Sequence, residues 1–364
     1  GIHVKRMVLL NTGSTAQSLN LYFYKDVALN GGDNFDQMTF DPVRGAMIAS
    51  DTTQRNTSSS GEYNPTSFGD YTKNVSVYLA SSIKVCAAVG SPAGTIAKEN
   101  WRDTSSDNGQ GWIGTTLTLQ PGIAQEVDIL VAGGFDNFPF ATGTYNYQIA
   151  PVIDWFTTNS MAATQASTEA HWQNWLSQGT TIETPDVAAN DLFKRGLLGT
   201  ALHLDGKNGG VVAGMHNGAY PFVWPRDAAY AAVTLSRTGH FSDAENVYRF
   251  LRDIAFRAND AWGKGFFYQK YTTDGHIVWS APQVDETAVV PWGIKAHYDT
   301  TGSIPFLNSY YGMVYESARA SSEDSSIDSR LFYDDPNLLM NSMNVWEDSF
   351  DDFIYSNANI VRGM

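Results

Sequence analysis

The sequence predicts a multidomain β + α chain: an N-terminal β-sandwich, a helical linker and an all-helical remainder. Three observations predict it. The 364 residues exceed one ordinary hydrophobic core. Residues 1 to about 150 alternate apolar and polar side chains with period two between turn-rich stretches. Beyond about residue 152 the apolar spacing becomes helical. The boundaries expected are 1–151 for the β domain, 152–183 for the linker and 184–364 for the helical domain.

In the first part, Ser18–Tyr24, Val75–Leu79 and Thr116–Leu119 read as strands of β-branched and aromatic residues. Pro121-Gly122 follows the third, and Gln125–Val131 completes an expected hairpin with it. The run from Ile83 to Val89 reads as one more apolar strand, with Cys86 as a small buried residue. Residues 160–177, carrying Ala162, Ala163, Ala166, Trp172 and Trp175, read as the linker helix. Thr184-Pro185 reads as a helix start, with a capping hydroxyl before a proline at the first helical position. Leu192, Leu197, Leu198 and Leu202 follow at helical intervals. Ser242-Asp243-Ala244-Glu245 matches a capping box, opening a helix with Val247, Leu251, Ile254 and Ala255 on its apolar side. Residues 286–298 and 306–320 read as two further helices.

Composition narrows the partners. Hydrophobic residues make up 43% and aromatics 13%, so both parts should be globular. A net charge of −15, with 23 Lys+Arg, argues against a nucleic-acid partner, which needs clustered basic residues to displace counterions. No apolar segment approaches the roughly 20 residues needed to span a bilayer. A single cysteine excludes an intrachain disulfide and a cysteine-rich metal site. No metal motif is visible, calcium on the acidic loops has no support, and no cofactor is expected. Asn56 and Asn74 head glycosylation-type triplets that arise easily by chance in Ser/Thr-rich sequence; localisation stays open, with secretion one option.

Three short segments carry the chemistry. Tyr220-Pro-Phe-Val-Trp-Pro-Arg-Asp227 sets an arginine and an acid beside an indole. Trp279-Ser-Ala-Pro-Gln-Val-Asp285 and Val345-Trp-Glu-Asp348 also join indoles to acids. A sugar presents a polar rim and weakly apolar C–H faces, which bidentate Arg and Asp hydrogen bonds and stacked aromatic rings can grip. Structural readings remain beside this one. Arg226 and Asp227 could form a salt bridge at a helix start, Trp279 could be a core residue with Asp285 as a cap, and Glu347 could be an exposed acid at a helix start.

Together these segments resemble glycoside hydrolase family 15, the glucoamylases, glucodextranases and related trehalases. The resemblance implies a super-sandwich-like β domain, a helical linker and an (α/α)6 barrel, with an α-glucan as substrate. It assigns Arg226 and Asp227 to the hydroxyl clamp of the innermost subsite, with Tyr220 and Trp224 as aromatic walls. Trp279 would line the subsites beside the acid, supported by Gln283 and Asp285. Glu347 would be the general acid, its carboxyl kept protonated by an apolar surround of Trp346 and Trp279. Asp348 stands where a second Glu is often found, and its shorter arm reaches the leaving sugar less well.

The family inverts configuration, which takes two carboxyl groups about 6.5 to 9.5 Å apart. No residue matches the water-activating base, and Asp351 and Asp352 lie too close to Glu347 in sequence to flank the opposite face of the ring. The chain is therefore expected to be a fragment, completed by the C-terminal remainder of the barrel in cis or in trans. Trehalase activity, an inverting disaccharide phosphorylase and a non-catalytic glucan-binding product are the alternatives. Linkage preference is not legible.

Overall fold

The computed structural model describes residues 2–26, 36–41, 46–51, 72–80, 85–89, 105–106, 110–140, 143–147, 151, 154, 159, 161–215, 220, 222–255, 265–273, 275, 277–279, 283–322 and 340–364. They fall into two compact units, the first ending at Glu169 and the second running from Ala170 to Met364. Asn56 and residues 280–282 of the second motif lie outside the described residues.

The first unit is antiparallel β. Its strands are β1 (Ile2–Leu10), β2 (Gln17–Asp26), β3 (Asp36–Asp41), β4 (Ala46–Asp51), β5 (Thr72–Ala80), β6 (Val85–Val89), β7 (Ser105–Ser106), β8 (Gln110–Leu119), β9 (Ala124–Phe140) and β10 (Gly143–Tyr147). One sheet runs β1-β9-β5-β4-β3-β7, with β10 paired to β9; the other runs β2-β8-β6. Along β8 the alternation expected from the sequence holds, with Leu117 and Leu119 buried and Thr116 and Thr118 exposed. Cys86 lies on β6, its backbone opposite Gly114.

The expected hairpin between Thr116–Leu119 and Gln125–Val131 does not form. β8 pairs with β2 and β6, whereas β9 pairs with β1, β5 and β10, so the turn at Pro121-Gly122 carries the chain from one sheet to the other. Asn11 explains the crossing. Its side-chain amide donates to the carbonyls of Leu119 and Thr15, and its backbone carbonyl accepts from the N–H of Gly122, whose φ of +70° suits glycine. The β1–β2 and β8–β9 connections are thus pinned together by one buried amide.

The second unit is helical: α1 (Met161–Gln178), which spans the unit boundary, α2 (Val187–His203), α3 (Pro225–Arg237), α4 (Phe241–Ala255), α5 (Val284–Thr301), α6 (Ile304–Ser322) and α7 (Ile354–Gly363). Two short hairpins interrupt it, β11 (Lys270–Tyr271) with β12 (Ile277–Trp279), and β13 (Ser342–Met343) with β14 (Phe350–Asp351). Two helix starts differ from expectation. Asp186, not Thr184, caps α2, its carboxylate accepting from the N–H groups of Ala188 and Ala189. Ser242 lies inside α4, because the His240 carbonyl already accepts from the Ala244 N–H and starts the ladder earlier. On α2 only Leu197 is buried; Leu192 and Leu202 face solvent.

Helix α5 is the centre of the unit. It packs against α3, α6 and α7, and its first two turns are wholly buried, acids included. The α5–α7 contact is backbone-close: a Cβ on Gly363 would lie 2.0 Å from the Ala288 carbonyl oxygen. Tyr248 of α4 donates to the Gly293 carbonyl of α5 at 2.7 Å, satisfying a fully buried hydroxyl.

Candidate active site

The site is built around the first turn of α5. Asp285 and Glu286 leave that turn in one direction, to α3. The Arg226 guanidinium donates through NH1 to Asp285 Oδ2 at 2.7 Å and lies 2.9 Å from Glu286 Oε1, while its NH2 is 3.4 Å from Asp227 Oδ2. Glu286 also accepts a hydrogen bond from the Arg226 backbone N–H. That N–H belongs to the first turn of α3, where no earlier carbonyl can serve it and Trp224, at the cap position, supplies no side-chain acceptor. A carboxylate from the neighbouring helix fills the gap and meets the positive end of the helix dipole.

Gln283 and Val284 leave the same turn in the other direction, to the hairpin of β13 and β14. The Gln283 side-chain amide donates to the Asn344 carbonyl at 2.7 Å, and the Val284 N–H donates to Ser342 Oγ at 3.0 Å. Asn344 shapes the loop between those strands. Its Oδ1 accepts from the N–H groups of Trp346 and Asp348, and its Nδ2 donates to the side chains of Asp348 and Ser349. Glu347 sits inside that loop at φ +63°, and among the described residues it is the only non-glycine with positive φ. Such a conformation is unfavourable for a side chain bearing a Cβ and persists only where surrounding contacts over-determine it.

The two halves meet at Trp224. Its indole N–H donates to Glu347 Oε1 at 2.6 Å. Around Trp224 stand Tyr220, with ring centroids 5.9 Å apart, and Lys270, whose ammonium is 5.2 Å from the indole centroid. Lys270 reaches this position because Tyr271 and Val223 exchange backbone hydrogen bonds, strapping β11 against the loop before α3.

Electrostatics divides the acids. Burial raises the pKa of Asp285 and lifts that of Glu286 well above the ordinary carboxylate range, in each case against the opposing pull of Arg226. Asp227 is raised as well, first by burial and further by the nearby Glu347, with Arg226 opposing. Arg226 itself is held cationic by Glu286 and Asp285 despite its burial. The Tyr355 hydroxyl, on α7, is pushed up to about 12 by burial and by Tyr230 and Asp285.

The sequence-predicted residues thus fall into distinct places. Tyr220, Trp224, Arg226, Asp227 and Glu347 come together. Asp227 keeps 42% of its side chain exposed and Arg226 only 11%, so the outward half of the expected clamp is Asp227. Gln283 and Asp285 are buried, and their hydrogen bonds go to protein groups: Gln283 holds the hairpin and Asp285 holds Arg226. Trp279 has its backbone in β12, opposite Lys270. Trp346 is 81% exposed and provides no apolar surround for Glu347; the loop turns it outward, and the contact with the acid comes from Trp224. Asp348 is exposed and engaged by Asn344 within the loop. Glu286, Asn344 and Lys270 escaped the sequence reading. For Glu286 the one signal was a second acid directly after Asp285 in an apolar run.

The comparisons speak to the fold alone, which resembles that of sugar-active enzymes built on (α/α)6 barrels. The likeness that shows this is to a solved structure from the human microbiome described as a candidate kojibiose phosphorylase, at a TM-score of 0.61 and 10% identity over 96% of this chain and 42% of that one. Two looser likenesses are to a bacterial glucoamylase complexed with acarbose (TM-score 0.47, 12% identity, 82% of this chain and 49% of that one) and to an α-mannosidase from Bacteroides thetaiotaomicron (TM-score 0.40, 8% identity, 87% and 45%). This chain spans less than half the length of each. No protein-family model and no curated protein matches the chain.

Proposed function

We propose that the chain carries the innermost sugar subsite and the general acid of an exo-acting, inverting glycoside hydrolase that releases glucose from the non-reducing ends of α-glucans. The observation that carries this reading is the hydrogen bond from Trp224 to Glu347, which sets a carboxyl group beside Asp227 although 123 positions separate the bonded pair. With Oε1 engaged by the indole, Oε2 is left to bear the proton that a departing glycosidic oxygen needs. Asp227 takes the sugar hydroxyls, and the exposed ring of Tyr220 flanks the sugar, backed by the buried Trp224. An inverting reaction also needs a group on the opposite face of the ring. Asp227 is assigned to the sugar hydroxyls and Asp285 is committed to Arg226, so we place the base in the remainder of the barrel, supplied in cis or in trans.

The phosphorylase-type fold likeness supports a second reading, in which inorganic phosphate attacks in place of a base-activated water. One experiment tests both. Cleavage of maltooligosaccharides by the full-length protein is measured with and without phosphate, as glucose for hydrolysis and as glucose 1-phosphate for phosphorolysis, for the natural sequence and for Glu347→Gln. Hydrolysis without phosphate, lost by orders of magnitude in Glu347→Gln at nearly unchanged affinity, supports the hydrolase. Strict phosphate dependence selects the phosphorylase. Activity of Glu347→Gln within tenfold of the natural sequence removes Glu347 as acid in either case.

A further inference from the structure

Among the described residues the ion-pair partner of the outward Asp227 carboxylate is Arg226, so its position is inherited from that residue. Its neighbour Arg226 holds it, and Arg226 is itself held by α5. Asp285 grips only the guanidinium, at the end of a chain of rotatable bonds. Glu286 grips Arg226 twice, at NH1 and at the backbone N–H, with its side chain fully enclosed. A two-point hold fixes the main chain as well as the side chain, and the main chain at Arg226 sets the direction in which Asp227 leaves the helix. With NH1 occupied by the two α5 acids, the guanidinium is turned so that NH2 faces Asp227 at 3.4 Å.

We propose that Glu286 is a positioning residue for the sugar-facing carboxylate of Asp227, acting through Arg226. Its effect on turnover rests on the sugar-site reading above; its effect on Asp227 rests on the geometry alone. The titratable groups facing this cluster are Arg226 and Asp227 of α3, Asp285 of α5, Tyr271 of β11, Tyr355 of α7 and Glu347 of the hairpin. Glu286→Gln sets an amide NH2 where Oε1 faced NH1, so the guanidinium loses one of its acceptors on α5 and is freer to pair with Asp227. That change favours the Asp227 carboxylate.

The test uses Glu286→Gln, which keeps an oxygen acceptor for the Arg226 N–H and a similar volume, in the full-length protein. Thermal unfolding checks the fold, and carbon-detected NMR follows the Asp227 carboxyl titration, assigned by comparison with Asp227→Asn. The expected result is a folded variant whose Asp227 titrates at lower pH. On maltooligosaccharides kcat/KM falls about tenfold, and in an Asp227→Asn background the same change costs less than about twofold, because coupled residues are not additive. An unmoved Asp227 titration in folded Glu286→Gln overturns the proposal, as do fully additive kinetic losses in the double variant. If the natural protein neither binds nor cleaves sugars, the sugar-site reading fails, and the Asp227 titration still decides the role of Glu286.

Discussion

The indole N–H of Trp224 lies 2.6 Å from Oε1 of Glu347, so the residue ahead of α3 and the residue at the bend of the β13–β14 loop share one proton donor. Trp224 is 3% exposed, and an unpaired indole N–H there would cost the desolvation of a buried donor. The bond therefore holds in both directions: it satisfies the indole and fixes the rotamer of the acid.

Trp224→Phe separates these roles, since it keeps a buried ring beside Tyr220 and removes the donor. The expected outcome is a fall in kcat of about ten- to a hundredfold with KM changed far less, because the lost bond orients the acid and does not touch the sugar. Steady-state kinetics on maltooligosaccharides checks it. A rise in KM alone would mean that Trp224 serves only as a wall of the subsite.

Arg226 should be less replaceable than any other residue of the site. Its guanidinium meets Asp285, Glu286 and Asp227 at once, a fork that a lysine ammonium cannot reproduce. Arg226→Lys is expected to weaken both binding and rate. Arg226→Met leaves two acids with fully buried side chains without their counter-ion and should destabilise the helical unit by about 3–5 kcal/mol at neutral pH. Denaturant unfolding at pH 7 and at pH 4.5 tests this. The loss should be smaller at the lower pH, where the two acids are more readily neutral.

Two histidines set the acid limb of stability. His297 is fully buried, its Nδ1 2.7 Å from Ser236 Oγ, and His240 stacks on Trp175 with ring centroids 3.7 Å apart. Burial lowers both pKa values below the ordinary 6.5, against the opposing carboxylates of Glu245 and Asp243. The unfolded chain then binds more protons than the folded one, so stability is lost as pH falls from about 6.5 through the folded values. The buried acids act with the opposite sign. With folded pKa values raised, Asp285, Glu286 and Asp227 contribute stability at low pH that is lost as pH rises through those values. His297→Gln should flatten the loss on the acid side, read from unfolding midpoints between pH 5 and pH 7.

How much of this was legible beforehand differs by kind of signal. Helices α1, α5 and α6 follow from apolar spacing, and Trp224, Asp227 and Glu347 stand out because acids beside indoles are conspicuous in any sequence. The β8–β9 connection was not legible, because a Pro-Gly turn between two alternating strands looks the same whether the strands pair or part; the buried Asn11 decides it from more than a hundred positions away. Buried acids are equally silent. Glu286 reads as a solvated helix-start residue until Arg226 is seen to close over it. Trp346 misled in the opposite sense, since adjacency to Glu347 suggested contact, while the loop geometry sends neighbouring side chains to opposite sides.

The loop itself offers the last prediction. Asn344 makes four side-chain hydrogen bonds inside it, two as acceptor from the N–H groups of Trp346 and Asp348 and two as donor to Asp348 and Ser349. Glu347, between those partners, occupies a left-handed backbone conformation that a residue with a Cβ adopts at a cost of about 1 kcal/mol. The amide of Asn344 is what offsets that cost. Asn344→Ala removes all four bonds, so the loop should relax and Glu347 should leave Trp224. Because the loop is mostly exposed and α5 keeps its own packing, the unfolding midpoint should move by no more than a few degrees. Turnover should drop at least tenfold, together with a change in tryptophan fluorescence as the indole of Trp224 loses its acceptor. Asn344→Asp keeps the two acceptor bonds but sets a second carboxylate against Asp348, so its loss should be partial and should shrink as pH falls and the pair is neutralised. Full activity in Asn344→Ala would show that Glu347 keeps its position without the loop bonds.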